Sequence, residues 1–283
     1  MAFAKLSASL LVRNEPVVLA PTVARVPSAP AVQPMLPMAN ARQLTRDLKA
    51  LRLPAFLGHY DALAKECAAE GVDHAGYLLR LVEREMDERH QRRVERLIKE
   101  ARFPAGKSLA DFSFSELPAL DERLVRELAR CDYIANHENV IAVGGSGTGK
   151  THIAVALGLA ACQKGFSVGF YTAASLVHEL LDARTDRLIS KLLRRLGNYS
   201  LLIIDDLGYV PLPADGAELL FEVFGQRCEG ASTIITGHQS LENWVGVFGS
   251  EHLARAALDR LGHRAHFLDM SGESYRPKQG KPR

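Results

Sequence analysis

The sequence is poor in the residues that disulfide frameworks, zinc sites and membrane spans require. It has four cysteines among 283 residues, and no two of them form a C-x-x-C pair. Cysteines spaced this widely do not indicate a disulfide framework or a zinc site, and they suit a reducing cytoplasm, where we expect the protein to work. No apolar run approaches the roughly 18 residues of a membrane-spanning helix, so we expect no membrane partner.

The sequence also lacks a strong net charge. The formal charge at pH 7 is only +2, so any affinity for nucleic acid has to come from local patches. Hydrophobic residues make up 47% of the chain and charged residues 24%, which are ordinary values for a globular protein. The length allows one good core and a smaller module.

Residues 1–38 have few charges and no helical periodicity, and they are rich in Ala, Pro and Val. We expect a disordered extension, or one that results from a start codon chosen upstream of the true start at Met35 or Met38. A transit peptide is the alternative, because Lys5 and Arg13 lie among small residues at the start of the chain.

The sequence does contain one complete glycine-rich motif. Residues 144–151 fill the pattern G-x-x-x-x-G-K-[ST], after an apolar strand-like run at 140–143 and before a helix-like segment at 152–164. Such a loop cradles a polyphosphate with its backbone N–H groups and with the positive end of the following helix. We therefore predict that a nucleotide binds to Gly144, Gly145, Ser146, Gly147, Thr148, Gly149, Lys150 and Thr151. Lys150 is expected to reach the β- and γ-phosphates, and the Thr151 hydroxyl to hold Mg²⁺.

A pair of carboxylates follows a second apolar run. Residues 201–204 are Leu-Leu-Ile-Ile, and Asp205 and Asp206 come directly after them. Phosphoryl transfer needs an acidic group near Mg²⁺ and a group that orients the attacking water, and we assign these roles to Asp205 and Asp206 respectively. Turn-forming aspartates after a buried strand are the alternative. Because Asp206 is one methylene shorter than Glu, we expect hydrolysis to be slow or partner-dependent.

Strand-like and helix-like segments alternate through the second half of the chain, which predicts an α/β fold with a parallel sheet and a ligand site at the carboxyl ends of the strands. The predicted strands are 140–143, 166–171, 201–204 and 232–236, and the predicted helices are 120–134, 152–164, 175–183 and 216–228. The predicted domains are a helical N-terminal domain at 39–103, a linker at 104–118, the nucleotide-binding core at 119–270 and a basic tail at 271–283.

Two charged stretches are candidates for DNA contact. The densest basic cluster inside the core comprises Arg184, Arg187, Lys191, Arg194 and Arg195. The last three have helical i, i+3, i+4 spacing, so they predict a ridge for sequence-independent, salt-sensitive contact with phosphates, with a solvated helix end as the alternative. Residues 83–102 are either a helix with i,i+4 ion pairs or a helix with a basic face.

Further motifs are spread along the chain. They are Phe112 and Phe114; Glu138-Asn139-Val140; Gly149-Lys150-Thr151-His152; Asp205-Asp206-Leu207-Gly208; Trp244 and Phe248; Leu258-Asp259-Arg260-Leu261; and Gly272-Glu273-Ser274-Tyr275-Arg276. With them, the sequence from about Met38 to Arg276 resembles the IstB-like ATP-binding proteins. These are helper ATPases encoded beside an insertion-sequence transposase and related to DnaC-type helicase loaders.

The resemblance implies a P-loop NTPase of the AAA+ class with a helical N-terminal domain. It places His152 in the nucleotide-binding motif and ATP at a subunit boundary, with Arg260 as an arginine finger and Arg276 as a weaker candidate for a second sensor. The family usually has Thr-Ser-Asn where this chain has Thr236-Gly237-His238. His238 is then either a donor to phosphate or water or the mark of a weakened copy, and Thr236 is a partial substitute for the missing Asn.

The function implied is an ATP-dependent regulator of transposition. It would assemble as a homo-oligomer on double-stranded DNA, stimulate a partner transposase and hydrolyse ATP to disassemble. A replicative helicase loader of the DnaC type, acting on single-stranded DNA, is the first alternative. A small-molecule P-loop kinase is the second, and an ATP-binding adaptor that has lost hydrolysis, as Asp206 and His238 allow, is the third.

Overall fold

The computed structural model describes residues 38–104, 106–209, 211–228, 230–238 and 244–275. Contacts divide the chain between Arg52 and Leu53 into two compact units. Our predictions for residues 1–37 and for Arg276 lie outside the described residues. Over the part of the chain that is described, no helix combines the length and the apolar character needed to cross a membrane.

The first unit contributes one described helix, α1 (Met38–Ala50). The second begins with α2 (Pro54–Glu70) and α3 (His74–Ala101), which pack against each other. Gly71 ends α2 in the left-handed conformation, and the Asp73 side chain caps α3 by accepting from the Gly76 N–H at 2.8 Å. The predicted helices are therefore present. The predicted domain boundary at 103 stays a prediction, because α3 also packs on β2 and α6, whose bounds are given below.

The segment before the sheet contains short elements. Two 3-10 turns, Leu109–Asp111 and Phe114–Glu116, precede α4 (Glu122–Leu128) and α5 (Asp132–Ala135). The single helix that we predicted at 120–134 is wrong, because the chain breaks at Cys131, which takes the left-handed conformation with φ 64°. The apolar stripe that we predicted along this segment survives the break, since Leu120, Leu128 and Cys131 are buried in one core and Leu124 packs against it. Hydrophobic spacing alone does not distinguish one helix from two.

Within the described residues, five parallel strands form one sheet in the order β2-β3-β4-β1-β5. They are β1 (Asn139–Val143), β2 (Val168–Thr172), β3 (Leu201–Leu207), β4 (Ser232–Gly237) and β5 (Ala265–Asp269). The sequence did not predict β5. It is an edge strand with only Leu268 buried, so it lacks the continuous apolar run that marks the central strands.

Helices cover both faces of this sheet. They are α6 (Lys150–Gln163), α7 (Ala173–Thr185), α8 (Ile189–Gly197), α9 (Ala214–Arg227), α10 (Trp244–Phe248) and α11 (Glu251–Gly262). Alternate strand residues face opposite cores: Leu201 and Ile203 pack with α6, whereas Leu202 and Ile204 pack with α7 and α9. The predicted α/β fold with a parallel sheet is confirmed, and the carboxyl ends of β1, β3 and β4 meet at one edge.

Candidate nucleotide-binding site

The glycine-rich loop leaves the carboxyl end of β1 and enters α6 at Lys150. Gly149 has φ 93°, in the left-handed region that favours glycine. A Cβ on Gly149 would lie 2.7 Å from Cε2 of Phe112, and one on Gly144 would lie 2.2 Å from the Met270 carbonyl oxygen. Glycine is required at both positions because other segments of the chain approach the loop this closely.

Lys150 is the first residue of α6, and it is 5% exposed. Its Nζ donates to the carbonyl oxygens of Gly144, at 2.9 Å, and Gly145, at 2.6 Å. A buried ammonium group needs acceptors of this kind. These carbonyl oxygens belong to the loop that borders the cavity described below, so they hold the charge where phosphate oxygens can replace them.

Asp205 lies in β3 beside the start of α6. The Thr151 hydroxyl oxygen is 3.0 and 2.9 Å from its two carboxylate oxygens, and the Thr236 hydroxyl lies 2.5 Å from Oδ1. Burial raises the pKa of Asp205 above its usual range. The hydrogen bonds from Thr236 and Thr151 oppose this rise, the Asp206 charge adds to it, and the Lys150 charge also opposes it.

The oxygens of Thr151 and Asp205 suit Mg²⁺, which prefers hard oxygen ligands. The described residues hold no group of three or more His, Cys, Asp or Glu side chains suited to a metal ion. Such a cluster is unnecessary for Mg²⁺ in a nucleotide site, because one carboxylate and the substrate phosphates usually complete its shell. The residues present therefore fit this ion.

Asp206 differs from its neighbour in both exposure and backbone. Its side chain is 49% exposed and its φ is 59°, a left-handed conformation that Asp tolerates better than most residues. Nε2 of His238 lies 3.9 Å from Asp206 Oδ1, and the His238 ring packs near the exposed Tyr209 ring at 5.6 Å between centroids. The structure thus brings His238, from the end of β4, beside Asp206.

Lys150, Thr151, Asp205, Asp206 and His238 border one cavity of about 760 Å³, a size typical of small-molecule sites. Segments distant in sequence complete its lining, among them Phe112, Glu273 and Tyr275. The Tyr275 N–H donates to the Gly147 carbonyl oxygen at 3.0 Å, so the C-terminal segment touches the loop directly. Our sequence reasoning gave no site role to these residues, although the motifs that carry the family resemblance include all three.

His152, which we predicted to be part of the nucleotide-binding motif, lines the cavity but turns towards the segment before the sheet. Its Nε2 lies 2.8 Å from the Ser108 carbonyl oxygen, and its ring meets Phe112 edge-on at 5.3 Å between centroids. The contact therefore ties α6 to the 3-10 turn that carries Phe112 over Gly149. A role in binding nucleotide stays a prediction.

Arg260 and the basic cluster at 184–195 do not belong to the lining of this cavity. Among the described residues that line the cavity, Arg260 does not appear; its guanidinium lies 4.0 Å from the centroid of the Phe221 ring, between α11 and α9. Lys191 and Arg194 are exposed on α8, and Arg195 beside them pairs with Glu179 at 2.5 Å.

The other charged stretch, residues 83–102, lies on α3 and its following residue, and its contacts favour a helix with i,i+4 ion pairs over a helix with a basic face. Arg89 lies 2.7 Å from Glu85, and Arg96 lies 3.9 Å from Glu100, each at i,i+4 spacing. Arg93 instead donates to the Gly165 carbonyl oxygen at 3.0 Å. Arg92 also pairs with Glu85, at 3.6 Å. All four arginines that could have formed a basic face on this helix (Arg89, Arg92, Arg93 and Arg96) therefore have partners within the chain, and we place no DNA contact there.

Known proteins resemble this chain in sequence and in fold. A family model described as "IstB-like ATP binding protein" matches residues 46–282. A Pseudomonas aeruginosa protein, named as ATP-binding in insertion sequence IS21, is 36% identical over 232 residues, which cover 82% of this chain and 88% of the relative. A Geobacillus stearothermophilus protein, named as ATP-binding in insertion sequence IS5376, is 35% identical over 229 residues, 81% of this chain and 91% of the relative.

Among solved structures, AMPPCP-bound DnaA from Aquifex aeolicus is similar with a TM-score of 0.51 at 19% identity. The match covers 60% of this chain and 51% of DnaA, and it bears on the fold alone. The fold, the complete phosphate-binding loop and the family match agree with one another. This chain belongs to the IstB-like ATP-binding protein family.

Proposed function

We propose that this protein is a Mg²⁺-dependent ATPase that binds duplex DNA in the cytoplasm and regulates transposition together with a partner transposase. The observation that carries the proposal is the meeting of Lys150, Thr151 and Asp205 at one cavity, in a chain whose relatives are named as insertion-sequence proteins. A phosphate-binding lysine and a carboxylate linked to the loop threonine are the parts that nucleotide hydrolysis requires.

The chain's own residues divide the work on ATP. Backbone N–H groups of the loop and the N-terminal end of α6 bind the phosphates, and Lys150 exchanges the Gly144 and Gly145 carbonyl oxygens for phosphate oxygens. Thr151 and Asp205 hold Mg²⁺, which neutralises phosphate charge when bound. Asp206 orients the attacking water from its half-exposed position, and His238 beside it donates to phosphate or water.

Two steps of the proposed cycle involve other molecules. The exposed face of α8, with Lys191 and Arg194, contacts DNA phosphates, with Arg184, Arg187 and Arg195 nearby, so binding is independent of sequence and weakens with salt. Arg260 lies outside the cavity of its own chain and serves the nucleotide of a neighbouring copy. ATP binding then favours assembly on DNA, and hydrolysis reverses it.

Light scattering tests the assembly directly. Particle size is measured with ATP and Mg²⁺, with and without duplex DNA, for the wild type, Lys150→Ala and the matched control Lys164→Ala at the exposed end of α6. We expect large assemblies only with ATP and DNA together, and none for Lys150→Ala. A protein that stays monomeric under every condition contradicts the proposal, and assembly on single-stranded DNA alone contradicts the assignment of duplex as substrate.

A mixing experiment tests Arg260. Arg260→Ala is expected to bind ATP normally and to lose most of its hydrolysis, because the arginine acts on a neighbouring site. Adding Lys150→Ala, whose own site is empty but whose Arg260 is intact, is expected to restore part of the hydrolysis. Failure of the mixture to exceed the sum of the two separate rates contradicts a role across the subunit boundary.

A further inference from the structure

The Thr236 hydroxyl joins the two carboxylate residues of the site. Thr236 lies in β4 and is 0% exposed. Its Oγ1 lies 2.5 Å from Asp205 Oδ1 and accepts a hydrogen bond from the Asp206 backbone N–H at 2.9 Å. A hydroxyl has one proton, and an ionised carboxylate can only accept, so the proton of Thr236 is committed to Asp205. It is not available to a phosphate group.

The pairing of the strands explains why this hydroxyl is needed. β3 and β4 pair in regular register as far as Ile204 and Ile235, and the register then shifts before Leu207 pairs with Gly237. The irregularity contains Asp205 and Asp206, and it includes the left-handed backbone of Asp206. The Thr236 side chain accepts the Asp206 N–H at this bulge, which a regular ladder would satisfy with a backbone carbonyl.

We propose that Thr236 is a positioning residue for ATP hydrolysis, whose hydroxyl sets the orientation of the metal-binding carboxylate of Asp205 and holds Asp206 in its left-handed conformation. This inference rests on the proposed ATPase function, and it assigns Thr236 a role different from contact with the nucleotide. Asp205 is held from both sides, by Thr151 of the loop and by Thr236 of β4. Asp206 has its backbone fixed by the same hydroxyl, so one side chain couples the two carboxylates.

Removing the hydroxyl should therefore act on two measurable quantities. Without Thr236, Asp205 keeps its contact with Thr151 but can rotate, which weakens the gain in ATP affinity that Mg²⁺ gives. Asp206 loses the acceptor for its N–H, so its carboxylate no longer stays where water is oriented and kcat falls. ATP binding without Mg²⁺ depends on the loop and Lys150, and it should not change.

The experiment compares Thr236→Val, which removes the hydroxyl, with Thr236→Ser, which keeps it. Thr233→Val is the matched control: Thr233 is 1% exposed on the same strand, but its hydroxyl accepts from Arg227 Nε at 3.2 Å near the opposite end. We expect Thr236→Val to lower kcat and the Mg²⁺-dependent gain in affinity for a fluorescent ATP analogue by about 10- to 100-fold, the usual effect of losing a residue that supports metal ligands. Thr236→Ser and Thr233→Val should stay within about threefold of wild type, by the same scale.

Two results overturn the inference. One is a Thr236→Val protein with wild-type kcat and Mg²⁺ response, and the other is a Thr236→Ser protein as impaired as Thr236→Val. If Thr236→Val does not fold, Thr236→Ala removes the hydroxyl without placing a second methyl against Asp205 and carries the same expectation. The binding measurement separates this inference from the proposed function, because a wild type that binds ATP with Mg²⁺ but never hydrolyses it contradicts the ATPase proposal and still tests Thr236.

Discussion

The carboxyl ends of the parallel strands form one border of the sheet, the carboxyl edge, and their amino ends form the other, the amino edge. Each of these two edges buries a cation, and they hold it in different ways. At the carboxyl edge, Lys150 donates to two carbonyl oxygens of the glycine-rich loop. At the amino edge, Arg227 is 2% exposed and donates to the carbonyl oxygens of Leu196, Tyr199 and Ser232, at 2.5, 3.0 and 2.6 Å. It also donates to the Thr233 hydroxyl, and burial lowers its pKa to about 10.

The difference lies in whether the partners can be exchanged. Lys150 itself lines a large cavity, so a ligand with phosphate oxygens can reach its ammonium group and replace the loop carbonyl oxygens. The acceptors of Arg227 are the end of α8, the turn before β3 and the start of β4, and they join three elements of the fold. A buried cation is therefore not by itself a sign of function; access from a cavity to the cation is the useful criterion.

The largest effect that this comparison predicts is on stability, for Arg227→Met. The substitution removes the donor of four acceptors, three of them buried. Each buried acceptor costs about 1–3 kcal/mol when left unsatisfied, and relief of the buried charge offsets part of this. We expect a net loss of about 3 kcal/mol, which lowers Tm by roughly 6–12 °C for a chain of this size. ATP affinity of the folded protein should stay within about threefold of wild type, which is a change of less than about 1 kcal/mol in the free energy of binding.

Thermal unfolding and nucleotide titration check this prediction. Arg123→Met, at an exposed position on α4, is the control for replacing Arg by Met and should leave Tm unchanged within about 2 °C. A structural role for Arg227 is contradicted if Arg227→Met has the Tm of the wild type, or if the variant loses ATP affinity while its Tm is unchanged.

The second prediction is the converse, for Lys150→Ala. Removing the ammonium group should weaken ATP binding by about 100-fold, or about 2.7 kcal/mol, the scale of a charge-assisted contact with phosphate. Stability without nucleotide should change little, because Gly145 is exposed and Gly144 is only partly buried, so water can reach the freed carbonyl oxygens. Titration with a fluorescent ATP analogue measures the affinity. A large loss of Tm in the absence of nucleotide would show that Lys150 is structural, as Arg227 is.

The sequence predicted the carboxyl edge far better than the amino edge. The phosphate loop and Asp205 were predictable because each belongs to a short motif next to an apolar run. Arg227 carries no local signal, and Thr236 was noted only as a partial substitute for the Asn of the family motif, because the partners of both residues are set by how distant strands align. Leu196, Ser232 and Arg227 come together through the fold, in which β3 pairs with β4.

The errors in the prediction have the same origin. The helix expected at 120–134 breaks at a left-handed Cys131, a residue whose type does not indicate that conformation. β5 escaped notice because an edge strand needs no continuous apolar run. The linker motif around Phe112 helped to identify the family, yet its place over Gly149 became evident only from the fold.

The smallest effect we predict is the loss of folding stability that burial of the Asp205 carboxylate causes at the carboxyl edge. Burial raises the pKa of Asp205 in the folded protein above its value in the unfolded chain. Between those two pKa values the folded state binds the proton and the unfolded chain has released it, so stability falls as pH rises through this interval. At neutral pH the folded protein bears the whole cost of a buried charge.

Asp205→Asn removes this charge, so the nucleotide-free variant should be more stable than wild type at pH 7. We expect a gain of about 1 kcal/mol, or roughly 2–4 °C in Tm. The gain should shrink as pH falls towards about 4, the pKa of an Asp carboxyl in the unfolded chain, because the wild-type carboxyl of the folded protein is then also neutral. Melting curves from pH 4 to pH 8 measure it. A variant less stable than wild type at pH 7, or a difference that does not depend on pH, would mean that the hydrogen bonds from Thr151 and Thr236 outweigh the burial of the charge. The carboxyl edge would then resemble the amino edge, with its buried charge stabilising the fold.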